Sequence, residues 1–368
     1  MRFRLATLLS AVVALATACT VPFNDVRLMH NETLLREAID QFHQSNGTQG
    51  WADAVKPGNP ITPWPSDIDR MHRIRYCFQN ANVKVKTWEY INKAWDLWLD
   101  KIGKPGPGRY SRHLLMWQEY SSHEGVPLCR VYGDDSKWNP DVPPETVEIR
   151  LSTKANYAAQ ATVGYIPEYW NNEPGRHVIY INVGLLDKYH PETGATFIAH
   201  EMGHIFGLWH EHQRPDRDHY VHFACENLPG YAETARAVEK DGHYSMQEVC
   251  RSPVIGILFG FPSNEYSTEP YWDWRHDKGY EHPWRLRTAA RYDLFSVMHY
   301  DSGFARVERA PLTAWIYGAP GFVSPDPPNV LNSERIPLRT RVSERDAEAV
   351  RFLYPWRNAW RRKGAGGW

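Results

Sequence analysis

The sequence predicts an α+β fold, on three observations: five short segments with strand-like patterning, two long stretches with helical character, and an N-capped amphipathic stretch near the end. Arg73-Ile74-Arg75-Tyr76-Cys77-Phe78 alternates polar and apolar residues and reads as the first strand. The stretch after it places Trp88, Ile91, Trp95, Leu99 and Ile102 on one helical face and ends at Gly103. A strand followed by a helix opens a mixed sheet. His113 to Tyr120, Thr146 to Leu151, Ala161 to Tyr165 and His177 to Val183 read as four further strands, separated by turn-rich segments such as Gly103 to Gly108. A second helix follows them, and a third begins at Ser343-Glu344-Arg345-Asp346, with Ala347, Val350 and Leu353 on its apolar side.

The second helix carries the densest chemical signal, His200-Glu201-Met202-Gly203-His204-Ile205-Phe206-Gly207-Leu208-Trp209-His210. His200 and His204 are i and i+4, so on a helix both imidazoles project from one face toward one ion. Glu201 then sits beside that ion rather than on it, where it can act as general base toward water. Gly207 has no Cβ and can take the left-handed turn that ends the helix and returns His210 to the same ion. Three protein ligands leave zinc an open position, the mark of a catalytic site. The expected cofactor is one catalytic Zn2+ on His200, His204 and His210.

Glu211-His212-Gln213-Arg214-Pro215-Asp216-Arg217-Asp218 extends the motif to HExxHxxGxxHExxRxDRD, which resembles the extended signature of the astacin family of zinc metalloendopeptidases. Ser296-Val297-Met298-His299-Tyr300, preceded by Tyr292-Asp293, resembles the family's Met-turn, and Ser343 to Tyr354 resembles its C-terminal helix. The resemblance runs from about Arg73 to Tyr354 and is strongest from Thr196 to Tyr220. It implies a metzincin-type, two-lobed zincin fold: an N-terminal mixed five-stranded sheet with two long helices, then an irregular C-terminal lobe closed by a terminal helix. Ala161 to Tyr165 would be an antiparallel edge strand lining the cleft. Such an edge offers free N–H and C=O groups, so the implied partners are extended peptide or protein substrates.

The resemblance also assigns roles. Met298 would form an apolar floor under the ion without bonding it. Tyr300 would be a fifth zinc ligand that swings away when substrate binds and then stabilises the oxyanion; its bland reading is a half-buried tyrosine. Glu211 would link to the N-terminus freed when a propeptide is removed; its bland reading is an ion pair with Arg214. Arg214, Asp216, Arg217 and Asp218 would form a charged network tying the lobes together. The other histidines need no metal, with His299 expected to hydrogen-bond beside the site.

A net charge of −1 over 368 residues lacks the basic excess that phosphate binding requires, so nucleic acid is not an expected partner. Arg2 and Arg4 precede an apolar run, Leu5 to Ala18, too short to span a bilayer, and Ala16-Thr17-Ala18 is a small-residue cleavage pattern. The expected order is a secretory signal peptide (1–18), a propeptide (19–62), a catalytic domain (63–355) and a flexible tail (356–368), in a secreted, extracellular protein without a membrane span. Cys19, directly after the cleavage pattern, leaves lipid anchoring as the lesser alternative. The propeptide assignment rests on resemblance; the segment holds one amphipathic stretch (Leu34, Leu35, Ala38, Ile39, Phe42) and sequons at Asn31 and Asn46, with Asp25 and Asp53 as candidates to block the metal.

Cys77, Cys129, Cys225 and Cys250 are an even set in an exported chain, which favours two disulfides. Three pairings are open; proximity favours Cys77 with Cys129 and Cys225 with Cys250. Where the family usually carries a cysteine after the terminal Leu-Tyr, this chain has Pro355. The chain between Asp218 and Met298 is longer than the family needs, with an aromatic stretch from Tyr266 to Trp284 that would pack a local core or rim the cleft. The expected function is a secreted zinc metalloendopeptidase, made as a zymogen and hydrolysing internal peptide bonds. The alternative is a catalytically inactive zinc-containing binding protein on the same fold, against which Glu201 stands. No GxSxG elbow or P-loop supports serine-hydrolase or nucleotide chemistry.

Overall fold

The computed structural model describes residues 62–356, apart from 109–110, 154–156, 170, 215, 269–291, 305–309 and 316–332. The expected signal peptide, Cys19, the propeptide up to 61, the tail beyond 356 and the aromatic stretch after Thr268 lie outside the described residues.

Strand β1 (His72–Phe78) puts Ile74, Tyr76 and Phe78 into the main core, while Cys77 faces a smaller cluster with Cys129 and Val142. Helix α1 (Ala81–Ile102) starts at Asn80, whose side chain accepts from the Val83 N–H at 3.0 Å, and ends at Gly103. Such a cap contributes about 1 kcal/mol. The buried stripe of α1 is Val83, Thr87, Ile91, Ala94, Trp98 and Ile102, which corrects the expected face: Trp88 is 50% exposed. Both stripes keep helical spacing. Trp98 is the ring taken inside because its indole N–H donates to the Ala199 carbonyl at 2.9 Å, so burial leaves no donor unpaired.

Strands β2 (Leu115–Glu119), β5 (Val147–Leu151), β6 (Ala159–Ala161) and β7 (Val178–Ile181) complete a five-stranded sheet in the order β2-β1-β5-β7-β6, with β3 (Arg130–Val131) and β4 (Asp134–Trp138) forming a separate hairpin. All neighbours in the sheet are parallel except β6, the antiparallel edge on β7. That edge lies at Ala159–Ala161 and not at the expected 161–165. Past it the Gly164 N–H turns to the His204 carbonyl (2.9 Å), and Tyr165 instead pairs with Thr62 in both directions at 2.8 Å. The β3–β4 hairpin is absent from the sequence reading because Asp134-Asp135-Ser136-Lys137-Trp138 has no buried face. Two bonds at 2.7 Å from Arg130 to the fully buried Glu148 fasten it, beside the Cys77–Cys129 disulfide.

After a single turn, α2 (Val183–Leu186), the helix α3 (Pro191–Ile205) packs against α1. The second half of the chain contains β8 (Val221–Phe223), α4 (Tyr231–Asp241), α5 (Met246–Arg251), α6 (Pro253–Leu258), β9 (Leu312–Trp315), β10 (Ser333–Glu334) and α7 (Glu344–Leu353). It is more regular than expected: β10-β9-β8 is an antiparallel sheet of its own, over a second core of Val221, Leu228, Val238, Val249, Ile255, Phe261, Tyr266 and Leu312. The Cys225–Cys250 disulfide joins the start of this region to α5. Both disulfides are the pairs that proximity favoured. Helix α7 returns to the first core through Ala347, Val350, Leu353 and Tyr354. Among the described residues no helix is long and apolar enough to cross a membrane.

Candidate metal centre

Helix α3 is set at its start by Pro191 in the first turn and by the His190 ring, which accepts from the Glu192 N–H at 3.4 Å. From Gly194 onward every residue of α3 is buried, so this helix runs through the core with its polar side chains inside. Gly203 is required by packing: a Cβ there would overlap Met298 Sδ and stand 3.2 Å from the Trp98 ring. The helix stops at Phe206, and Gly207 adopts φ +99°, a left-handed backbone that returns the chain. His210 thereby comes back to the helix.

The three imidazoles converge. Nε2 of His210 lies 3.1 Å from Nε2 of His204 and 3.2 Å from Nε2 of His200. All three are buried, and one nitrogen from each lies within 4.8 Å of the others. Each Nδ1 faces an oxygen that can only accept: the Val297 carbonyl for His200 (2.7 Å), the Leu208 carbonyl for His204 (2.8 Å) and Gln213 Oε1 for His210 (2.8 Å). Nδ1 therefore carries the proton and donates in every ring. Burial lowers the pKa of all three, His200 to about 4, so the rings are neutral at pH 7.

Three neutral rings protonated at Nδ1 present three bare Nε2 lone pairs to one another, an arrangement that is unfavourable without a cation between them. Ligands at the usual zinc–nitrogen distance of about 2.0–2.1 Å on a tetrahedron stand about 3.3 Å apart, close to the separations found. The donor set therefore fits a zinc ion, with each ligand oriented by a second partner.

The remaining parts come from the Met-turn and α7. Met298 lies against Gly203 of α3. Asp346 of α7 accepts from the Ser296 hydroxyl (2.5 Å), the Val297 N–H (2.9 Å) and the Ser343 N–H (2.9 Å). One carboxylate thus caps α7 and fixes the turn whose carbonyl holds His200. Glu201 is buried beside His200 and, with Thr196, Tyr300, Asp301, Leu338 and Arg339, borders a small cleft next to the triad. Tyr300 reaches this cleft, its ring 4.4 Å from that of His210, but its hydroxyl donates to Glu265 Oε2 at 3.0 Å. A role for Tyr300 on the metal belongs to the function proposed below.

Glu211 accepts from the Asp293 N–H at 2.7 Å and faces Arg214 at 3.3 Å, so its contacts include the bland ion pair. Arg214, 1% exposed, makes two bonds of 2.8 Å to Asp216, and Arg217 bonds Asp218 at 2.9 Å and the Tyr266 carbonyl. His299 is buried, donating from Nδ1 to the Tyr300 carbonyl and accepting the Tyr292 hydroxyl, both at 2.7 Å. Four participants escaped the sequence reading: Gln213, which orients His210; His212, stacked on Tyr300 at 4.1 Å; Glu265; and Arg339. Only Gln213 carried a signal, its spacing of three from His210 within a turn.

A histidine triad on a helix and its return turn, with a methionine against that helix and a five-stranded sheet beside it, is the arrangement expected of a metzincin-type scaffold. Residues 190–249 match the peptidase family described as Astacin. It is similar to Tolloid-like protein 2 of Mus musculus, 59% identical over 34 residues, which are 9% of this chain and 3% of that protein. Zinc metalloproteinase nas-30 of Caenorhabditis elegans is 46% identical over 99 residues, 27% of this chain and 12% of that protein. The chain thus spans a small fraction of the length of these relatives. Among solved structures, High choriolytic enzyme 1 (HCE-1), a hatching enzyme zinc-protease from Oryzias latipes, aligns over 82% of this chain and 98% of its own at 15% identity and a TM-score of 0.45.

Proposed function

We propose that this chain is a zinc-dependent metalloendopeptidase that hydrolyses internal peptide bonds, exported and made as a zymogen whose segments 1–18 and 19–62 are removed. The observation that carries the reading is the tautomer pattern: three buried imidazoles, each committed at Nδ1 to an acceptor, with Nε2 facing a common point. His200, His204 and His210 would hold the ion. Zinc would supply Lewis acidity toward the scissile carbonyl and bring the pKa of a water toward neutrality.

Glu201, buried next to His200, takes a proton from the attacking water and returns it to the leaving amine. Tyr300, at the same cleft, serves in this reading as an additional ligand at rest and as an oxyanion donor during reaction. The edge strand β6, last in the sheet order, offers its outer side to an extended peptide. Arg339 lines the cleft beside Glu201 with a buried Nε that has no hydrogen-bond partner. It favours substrates with an acidic side chain just past the scissile bond, although Asp293 and Asp301 offset part of its charge.

The test is chelator-sensitive cleavage of a peptide by the zinc-loaded protein beside Glu201→Ala. The variant is expected to lose a factor of about 10²–10⁴ or more in rate while keeping its zinc. Cleavage by the variant at the wild-type rate would refute the mechanism. Zinc binding with no cleavage by the wild type would leave the inactive binding protein as the reading.

A further inference from the structure

Tyr300 is gripped from several sides. Its ring stacks on His212 (centroids 4.1 Å, planes 28° apart) and packs on Phe304 at 4.0 Å, and its hydroxyl donates to Oε2 of Glu265 at 3.0 Å. Glu265 is 6% exposed and closes the turn Pro262–Glu265. That turn is anchored to α5, where the Ser263 hydroxyl donates to the Val249 carbonyl. The main-chain carbonyl of Glu265 also accepts from His212 Nε2 at 2.8 Å. One residue therefore holds both Tyr300 and the ring stacked on it, and it comes from the long stretch between Asp218 and Met298.

A hydroxyl that donates to a carboxylate is held in place by a charge-assisted bond. For Tyr300 to reach an ion on the triad its hydroxyl must leave Glu265, so the two positions compete for one side chain. We propose that Glu265 is a positioning residue for Tyr300: it holds the hydroxyl away from the zinc site and thereby sets the fraction of molecules in which Tyr300 coordinates the ion. The inference rests on the reading of Tyr300 as a ligand given under the proposed function. It adds the residue that restrains that ligand.

Copper makes the competition visible, because phenolate bound to Cu(II) produces a charge-transfer band in the visible spectrum. The full chain is loaded with Cu(II) and its spectrum compared with those of Glu265→Gln, Glu265→Asp and Tyr300→Phe. The glutamine variant keeps the shape and the carbonyl that serves His212 but removes the charge. Replacing a charge-assisted bond by a neutral one shifts such a partition by about tenfold. The band is expected to strengthen in Glu265→Gln, to be intermediate in Glu265→Asp and to vanish in Tyr300→Phe. A band no stronger in Glu265→Gln than in wild type, or one that survives Tyr300→Phe, overturns the proposal.

Should Glu265→Gln fail to fold, judged by circular dichroism, Glu265→Asp decides alone: a stronger band supports the proposal, and an equal or weaker one overturns it. Peptide cleavage by the zinc form is measured separately. A strengthened band without cleavage would keep the restraint and remove the peptidase reading; cleavage with an unchanged band would do the reverse.

Discussion

The two halves of this molecule reach the same histidine triad by different physics. The first half is a ladder: four parallel strands and one antiparallel edge, covered by α1 and α3 over one continuous apolar core. The second half has short elements, and there buried polar groups take over much of the organisation. His212, Gln213, Arg214, Arg217 and His299 are all at most 5% exposed, and each bonds a carbonyl or carboxylate. The seam between the cores passes through the Met-turn, where Met298 belongs to the first and Tyr300 to the second. The first half supplies His200, Glu201 and His204 on one buried helix. The second supplies groups that orient them, and neither half makes the site by itself.

The largest expected effect tests whether the first half carries the stability. Trp98→Ala should lower the unfolding free energy by about 3–5 kcal/mol, whereas Trp88→Ala, on the exposed side of α1, should change it by only about 0.5 kcal/mol. Equal losses in denaturant titrations would break the assignment of the buried face. The seam comes next. In Gly203→Ala the new methyl must displace Met298, at a cost of about 1–3 kcal/mol, and zinc affinity measured by chelator competition should fall with it, since Val297 moves with Met298. Unchanged affinity would mean that the Met-turn does not couple the halves.

The last effect is graded by pH and is small close to neutrality. His177 is fully buried under the sheet end, accepting from the Ile166 N–H at 2.8 Å, and burial pushes its pKa down from 6.5 to about 3. Below pH 6.5 the unfolded chain binds a proton here that the folded chain refuses. This group's stabilisation is therefore complete above that pH and is lost at about 1.4 kcal/mol per pH unit as the pH falls toward 3. His177→Gln should flatten that slope in metal-free protein. An unaltered slope would assign the acid sensitivity to the histidine-rich second half instead.

The same contrast explains what the sequence discloses. The first half follows alternation and helical spacing, so most of its strands and helices could be located from apolar pattern alone; the β3–β4 hairpin, without a buried face, could not. It misled only where pattern is degenerate. Two stripes of α1 share Ile91 and Ile102, and the choice between Trp88 and Trp98 depends on the Ala199 carbonyl of another helix. The edge strand, Ala159-Gln160-Ala161, has no β-branched residue to announce it. The triad was legible because its spacing is local. The partners Glu265 and Arg339 were not, because their roles arise from contacts made 35 residues from Tyr300 in one case and across the cleft in the other.

The bond from His200 Nδ1 to the Val297 carbonyl spans 97 positions of chain, whereas those of His204 and His210 span four and three. Only the first ties the triad to the docking of one half on the other. An ion that binds the aligned triad more tightly than the misaligned one stabilises that docking by an amount that grows with the logarithm of its free concentration. Under the proposed function, zinc supply would then be a thermodynamic variable of closure: a chelator would remove the ion and also loosen the chain at a point far from the triad in sequence.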